Sequence, residues 1–440
     1  MNNLHTRPIL GNGLSQHQKM NQLKFNYEIF NFQCKISANG KITQKEEITP
    51  LGKAVYQYSY DSKGHLIEVV RNGKLIEKYE YNQEGQRTED YRTAFNGSRQ
   101  FIYGYDGALI RVNDAYLEWT PQGQLKAIYS HQQRAEYEYG DDSRLDKVYL
   151  PSGNMIQYEY SKELMPVKVL DGYEPAFEYT WKDSLQLQRC VDIQNEVSYV
   201  FSYGKNRLPE TVSIQGNPES IQRLTAQYTS NLNLQIWVDQ VGSIRALSSS
   251  SGAVIKYLEY DAFGNVTLDT KPELNFPLGF AGGLNDIYTG FVRFGFRDYD
   301  PQVGRFTAKD PIGDTGGDHD LWDYCVDDPV SINDPTGLWP PLLVLAAGIA
   351  GSLGLGVGGS YGAAKIADSI KTNQEGMESS AGRDAVLKVT PKVINTHRAA
   401  FLPGELAAGA AVGKLGQTLL TKSFLEFFLK GKGDSSQQNE

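Results

Sequence analysis

Cysteine is scarce in this chain: three among 440 residues, Cys34, Cys190 and Cys325, far apart and with no CxxC pair. An odd, scattered set argues against a disulfide framework and against a cysteine-based zinc site. It leaves residence outside the cell open, because a large repeat scaffold needs no disulfides. Positive charge is also short: 43 Lys and Arg against 52 Asp and Glu give a net charge of −9. That balance argues against nonspecific binding of nucleic acid by the whole chain. The opening Met1-Asn2-Asn3-Leu4-His5 lacks the basic patch and apolar stretch of a Sec-type signal peptide. Export, where it occurs, is therefore expected to use other machinery. No cofactor or metal motif stands out.

Tyrosine is what the chain has in excess: 27 Tyr against 18 Phe and 5 Trp, with 26 of the tyrosines before Leu338. Tyrosine suits a half-buried strand, where the ring packs and the hydroxyl keeps a polar partner. Composition changes sharply at Asp334-Pro335-Thr336-Gly337-Leu338. Residues 1–338 carry 33 basic and 44 acidic side chains, whereas residues 339–440 carry 10 and 8 and are rich in Ala, Gly and Leu. A break of this kind at a turn motif separates a scaffold from a different kind of segment.

Between residues 56 and 265 one phrase recurs: aromatic-x-aromatic, a polar turn that often ends in Gly, then an aliphatic residue. It reads Tyr58-Ser59-Tyr60-Asp61-Ser62-Lys63-Gly64 and returns as Tyr79-Glu80-Tyr81-Asn82-Gln83-Glu84-Gly85. Further copies are read at Tyr103/Tyr105, Leu117/Trp119, Tyr137/Tyr139, Tyr158/Tyr160, Tyr179/Trp181, Phe201/Tyr203 and Tyr260-Asp261, with most spacings between 19 and 24 residues. Aromatics two apart project to one face of a strand. Asp or Asn followed by a Gly-bearing turn supplies the side-chain bond and positive φ of a tight reversal. Each unit is therefore a β-hairpin, and hairpins in series form one continuous sheet. An ordinary β-sandwich does not account for nine copies of one phrase.

The phrase resembles the YD repeats of Rhs and teneurin-like proteins. Downstream, Gly279-Phe280-Ala281-Gly282-Gly283, Thr289 to Pro301 and Gly304-Arg305-Phe306-Thr307-Ala308-Lys309-Asp310-Pro311-Ile312-Gly313 lead into Asp334-Pro335-Thr336-Gly337-Leu338. This run resembles the Rhs repeat-associated core domain of bacterial polymorphic toxins. The resemblance divides the chain into a non-repeat segment 1–50, a YD-repeat sheet 51–270, a core domain 271–338 and a variable effector-like tail 339–440. It implies a mainly β fold: a hairpin sheet spiralling as a partial shell, capped by the core domain, then a small, mainly α tail. It further implies self-cleavage after the Asp-Pro-x-Gly-Leu motif, injection by a type VI or related secretion system without a Sec signal, and a cognate immunity protein. Residues are cytoplasmic before export in that picture, and secreted or envelope-associated after it.

Carried over by position, Asp310 and Asp334 become the catalytic pair and Leu338–Trp339 the bond that is cut, with Arg305 as support for developing negative charge. Two carboxylates sharing one site split their pKa values, which leaves one as base and one as acid. An intramolecular peptide bond is presented at high effective molarity. Asp-Pro-x-Gly is also a good turn sequence by itself. Asp318-His319-Asp320, between the two motifs, reads as a solvated loop rather than a metal site. Nine repeats are too few to close a shell around a 102-residue guest, which points to a fragment or an orphan module. The competing reading is a non-enzymatic surface protein whose aromatic faces contact carbohydrate, or an Rhs remnant without an active toxin.

In the tail, Pro340 to Ala364 holds no charged residue, and Gly354, Gly358 and Gly362 recur every fourth position. That spacing favours close helix approach in a membrane. Leu406 to Val412 and Phe424 to Lys430 are further apolar blocks. A membrane-active tail is the favoured reading; a soluble enzyme would have to work with His397, Arg398 and isolated acids.

Overall fold

The computed structural model describes residues 29–338, apart from 132, 141–142, 163–164, 184, 205–206 and 312–319. The tail, with Trp339, His397 and the apolar runs, lies outside the described residues. So do most of the segment 1–50 and residues 312–319, with Asp318-His319 among them.

Twenty-two antiparallel strands, from Asn31–Ile36 to Val266–Asp269, form a single sheet. Each strand pairs with its neighbours in sequence, so the sheet is one long meander, and its first and last strands do not pair with each other. The fold is mainly β, as the repeat predicts. Among the described residues one α-helix, Pro218–Thr225, interrupts the meander; Asn217 caps it, its side chain accepting from the Ser220 N–H at 2.7 Å.

The repeated phrase has a local cause at each of its parts. In the first copy the Asp61 carboxylate accepts from the N–H groups of Lys63, Gly64 and His65 at 2.8–2.9 Å. Gly64 takes a φ of +95°, a region that L side chains avoid. The ladder shifts register by one residue just before the second aromatic, at Ser59/Tyr60, Glu80/Tyr81, Glu159/Tyr160 and Ser202/Tyr203. This bulge tilts the strand end and lets the second aromatic reach backward. Tyr60 donates to Ile42 O, Tyr81 to Leu66 O, Tyr160 to Leu145 O and Tyr203 to Leu187 O, at 2.7–3.0 Å. Trp119 and Trp181 make the same bond through the indole N–H, both at 2.7 Å. Tyrosine recurs because each unit needs a ring in the core with a donor at its tip.

One copy is displaced from the sequence reading. The equivalent pair is Phe101/Tyr103, where Tyr103 donates to Arg87 O at 2.9 Å, and Tyr105 stands exposed in the turn that follows. The physical reason is the turn closed between Gly104 N–H and Ala108 O, which takes Tyr105 out of the strand.

The inward face of the sheet changes character along its length. Through the middle strands, from Phe101 to Leu234, it is apolar, and Leu109, Val148, Tyr199 and Ile214 pack against Phe276, Tyr288, Phe291 and Val303. The first and last strands instead turn charged groups inward. Arg245 forks onto Glu47 at 2.7 and 3.2 Å, Arg71 onto Glu259 at 2.8–2.9 Å, and Arg92 reaches Asp261 at 3.1 Å. These pairs join the first strands of the meander to the last ones.

Glu77 belongs to this seam. Its carboxylate accepts from the Tyr79 hydroxyl and from the Ala262 N–H at 3.0 Å. Burial, and then the neighbouring Asp261 carboxylate, push its pKa up to about 7; the Tyr79 and Ala262 bonds and Arg92 oppose this. A raised acid pKa means that the native state holds its proton where the unfolded chain has lost it. Stability from this group is thus fully present below about 4.5 and is lost as pH rises through about 7. The expected urea midpoint is higher at pH 5 than at pH 8, with Glu77→Gln narrowing the gap by on the order of 2 kcal/mol. An unchanged gap would show that Glu77 titrates normally.

Candidate functional site

Residues 271–338, expected from the sequence to form a core domain, carry a four-stranded sheet of short strands, Leu284–Asn285, Val292–Phe294, Arg297–Asp300 and Arg305–Phe306. Phe280, Phe294, Tyr299, Phe306 and Tyr324 fill its interior, with Tyr299 and Tyr324 only 4.5 Å apart between ring centroids. This aromatic block is the floor on which the terminal motif lies.

Two loops bring the predicted aspartates onto it from different sides. Asp310 follows Phe306, and its N–H donates to Leu321 O at 2.8 Å. The same loop is anchored on a repeat turn, where the Lys309 N–H and the Trp322 indole both reach Gly123 O, at 3.2 and 2.9 Å. Asp334 arrives on a loop fastened elsewhere: Asn333 donates to Val241 O at 2.7 Å, Ser331 accepts from the Ile42 N–H at 3.0 Å, and Lys41 pairs with Asp328 at 2.9 Å. Separate parts of the repeat sheet therefore hold the two acids in place.

Between them stands Arg297. One of its terminal nitrogens is 2.7 Å from Asp310 Oδ2 and 3.6 Å from Asp334 Oδ2, which confines both carboxylates to one small buried site. Its Nε donates to Gly337 O at 2.5 Å and its other nitrogen to Leu321 O at 3.1 Å. The guanidinium lies over the Phe306 ring at 3.6 Å. Arg305, the residue singled out from sequence, instead pairs with Asp320 at 2.5 Å. The cation that touches both aspartates is thus Arg297. It falls within the run Phe294-Gly295-Phe296-Arg297-Asp298 that carries the family resemblance, and its position at the start of a strand was the available signal.

The terminal motif is gripped at backbone level. Thr336 O accepts from the Phe296 N–H at 2.9 Å, and a Cβ on Gly295 would sit 2.5 Å from that oxygen. Gly337 has φ +65°, and a Cβ there would sit 2.3 Å from Phe294 O. Side chains are thus barred at both glycines by the approach of two backbones. Asp334 Oδ1 accepts from the Thr336 hydroxyl at 3.1 Å and from the Leu338 N–H at 3.2 Å, so the turn predicted for Asp-Pro-x-Gly is present as well. Asp334 Oδ2 makes no hydrogen bond among the described residues. Burial raises the Asp334 pKa; Arg297 opposes this and Asp310 adds to it. Burial thus favours the protonated form of Asp334, beside a carboxylate that Arg297 holds by a direct ion pair.

A long hairpin-repeat sheet whose following segment clamps an Asp–Arg–Asp cluster onto the Asp334–Leu338 turn defines a YD-repeat scaffold. The chain belongs to the Teneurin YD-shell family, whose model matches residues 11–182 and 221–316, more than half of its length. It is similar to zebrafish (Danio rerio) teneurin-3, 26% identical over 278 residues, which covers 62% of this chain and 10% of the relative. Human teneurin-4 is 25% identical over 293 residues, covering 65% and 10%. The chain thus spans about a tenth of the length of these relatives. Among solved structures it is similar to a Photorhabdus luminescens Tc holotoxin pore, with a TM-score of 0.40 and 15% identity over 71% of this chain and 18% of that one. It is also similar to a TcdB2-TccC3-TEV crystal structure, with a TM-score of 0.42 and 15% identity over 70% and 18%.

Proposed function

We propose that this YD-shell scaffold cuts its own Leu338–Trp339 bond and so releases residues 339–440 as an effector in competition between bacteria. The observation that carries the reading is Arg297, which bridges Asp310 and Asp334 and holds the Gly337 carbonyl one residue before the bond. Asp310, paired with the guanidinium, serves as base for a water molecule. Asp334, whose pKa burial raises, is the acid for the leaving nitrogen. Fixed geometry supplies most of the rate, because a single intramolecular bond is presented once. Delivery by an injecting secretion system, protection by an immunity protein and membrane action of the tail belong to the same proposal and rest on the Rhs resemblance.

Intact-mass measurement of the expressed chain tests the reading. Fragments ending at Leu338 and beginning at Trp339 are expected, and both disappear in Asp310→Asn and in Asp334→Asn. A wild-type chain that stays whole for days would leave a non-enzymatic repeat protein as the better reading. Liposome leakage by the released fragment tests the membrane part separately.

A further inference from the structure

One side-chain donor faces the carbonyl oxygen of the bond proposed to be cut. Thr336 Oγ1 lies 3.4 Å from Leu338 O and 3.1 Å from Asp334 Oδ1. Thr336 is buried, so these acceptors and not bulk water compete for its hydroxyl. The hydroxyl has one proton to give, and at rest the carboxyl oxygen is the nearer acceptor. The backbone around it is held: Phe296 N–H on Thr336 O, Arg297 on Gly337 O, and the Leu338 N–H on Asp334 Oδ1. Hydroxyl and carbonyl therefore stay in register as bonds change. Pro335 and Gly337 meet the demands of the turn, which asks nothing of the side chain between them.

We propose that Thr336 is a catalytic residue of this cleavage, its hydroxyl swinging from Asp334 Oδ1 to the Leu338 carbonyl oxygen as that oxygen gains negative charge. The assignment rests on the reading that Leu338–Trp339 is cut. A water oxygen bonds to the Leu338 carbonyl carbon, its proton passes to Asp310, and the π pair moves onto oxygen, where Thr336 donates. Collapse restores the carbonyl and breaks the C–N bond; the Trp339 nitrogen takes the proton of Asp334. The products are a Leu338 carboxyl group and a Trp339 amine, with water the sole co-reactant. A donor set on the charge of the transition state, and held beforehand, accelerates the step without reorganisation.

The test is cell-free synthesis of the full chain, following whole protein and fragments by mass against time and pH. Thr336→Val, which keeps the shape and loses the hydroxyl, is expected to slow cleavage by roughly 10²–10³-fold at every pH. Thr336→Ser is expected to stay within about tenfold of wild type, since one oxyanion donor accounts for the larger loss. A Thr336→Val chain that cleaves at the wild-type rate, with Asp310→Asn and Asp334→Asn intact, overturns the role of Thr336 and leaves the cleavage reading standing. Loss confined to one limb of the pH profile overturns it too, because the hydroxyl would then only tune Asp334. Equal loss in Thr336→Ser ascribes the effect to packing of the methyl group. A whole wild-type chain overturns the cleavage reading and this inference together.

Discussion

Arg297→Met is expected to leave the Leu338–Trp339 bond intact and to destabilise the core domain by about 3–5 kcal/mol, the usual cost of stripping one partner from a buried ion pair. The guanidinium serves Asp310, Asp334, Leu321 O and Gly337 O at once, and it lies flat on Phe306. Methionine fills the volume and supplies none of the donors. Two buried acids then face each other without a cation, and the pair is expected to retain a proton at neutral pH. The loss of stability should therefore shrink as pH falls, since protonation relieves the repulsion. Arg297→Lys separates charge from shape. An ammonium restores part of the stability and none of the cleavage, because a point charge on a flexible stem does not span two carboxylates and two carbonyls. Urea midpoints across pH of the Arg297→Met and Arg297→Lys chains, both expected to stay whole with both acids in place, report the first effect; mass spectrometry of the same chains reports the second. Arg297→Met cutting itself at the wild-type rate would sink the site as described.

The sequence carried the repeat because each part of the phrase has a local cause. Asp61 closes its own turn within four residues, and Tyr60 finds its acceptor one hairpin back. Phe101-Ile102-Tyr103 and Tyr103-Gly104-Tyr105 fit the phrase equally well as strings of letters. Only the turn from Gly104 to Ala108 tells them apart, and it made the sequence reading two residues late. The aspartates were legible from their Asp-Pro-x-Gly setting. Arg297 was not, since strand alternation gives a residue's face and not its partner. Arg305 was the more conspicuous cation, and its own partner Asp320 comes from the insert between the two motifs. The buried charges of the first and last strands were hidden for a similar reason. Lys, Arg, Asp and Glu on strands read as a wet face, and here Arg245 and Arg92 meet partners 198 and 169 positions away.

Those distant pairs set up the second large effect, at Asp90. This carboxylate is fully enclosed and accepts from Arg99 at 2.6 and 2.9 Å and from Arg92 at 2.9 Å, with Arg87 at 3.9 Å. Burial opposes its ionisation, but the Arg92 and Arg99 guanidinium groups win and hold its pKa down at about 2. A depressed acid pKa contributes stability above the unfolded value of 3.8 and loses it as pH falls through about 2. The shift alone corresponds to about 2 kcal/mol. Asp90→Asn costs more than this, on the order of 3–5 kcal/mol, because three buried arginines are left facing one another. All three carry the contact between the repeats and residues 271–338: Arg87 pairs with Asp327, Arg92 donates to Pro301 O and Arg99 to Gln302 O. The expected result is a lower urea midpoint with far-ultraviolet signatures of a β fold retained below it. Cleavage per folded molecule should stay at the wild-type rate, since the Asp310–Arg297–Asp334 site is held by other anchors, Gly123 and Val241. Arg297→Met and Asp90→Asn are thus expected to dissociate: the first abolishes the proposed cleavage, the second loosens the seam around the site. Asp90→Asn with an unchanged midpoint would mean that the arginine cluster is neutralised by groups other than Asp90.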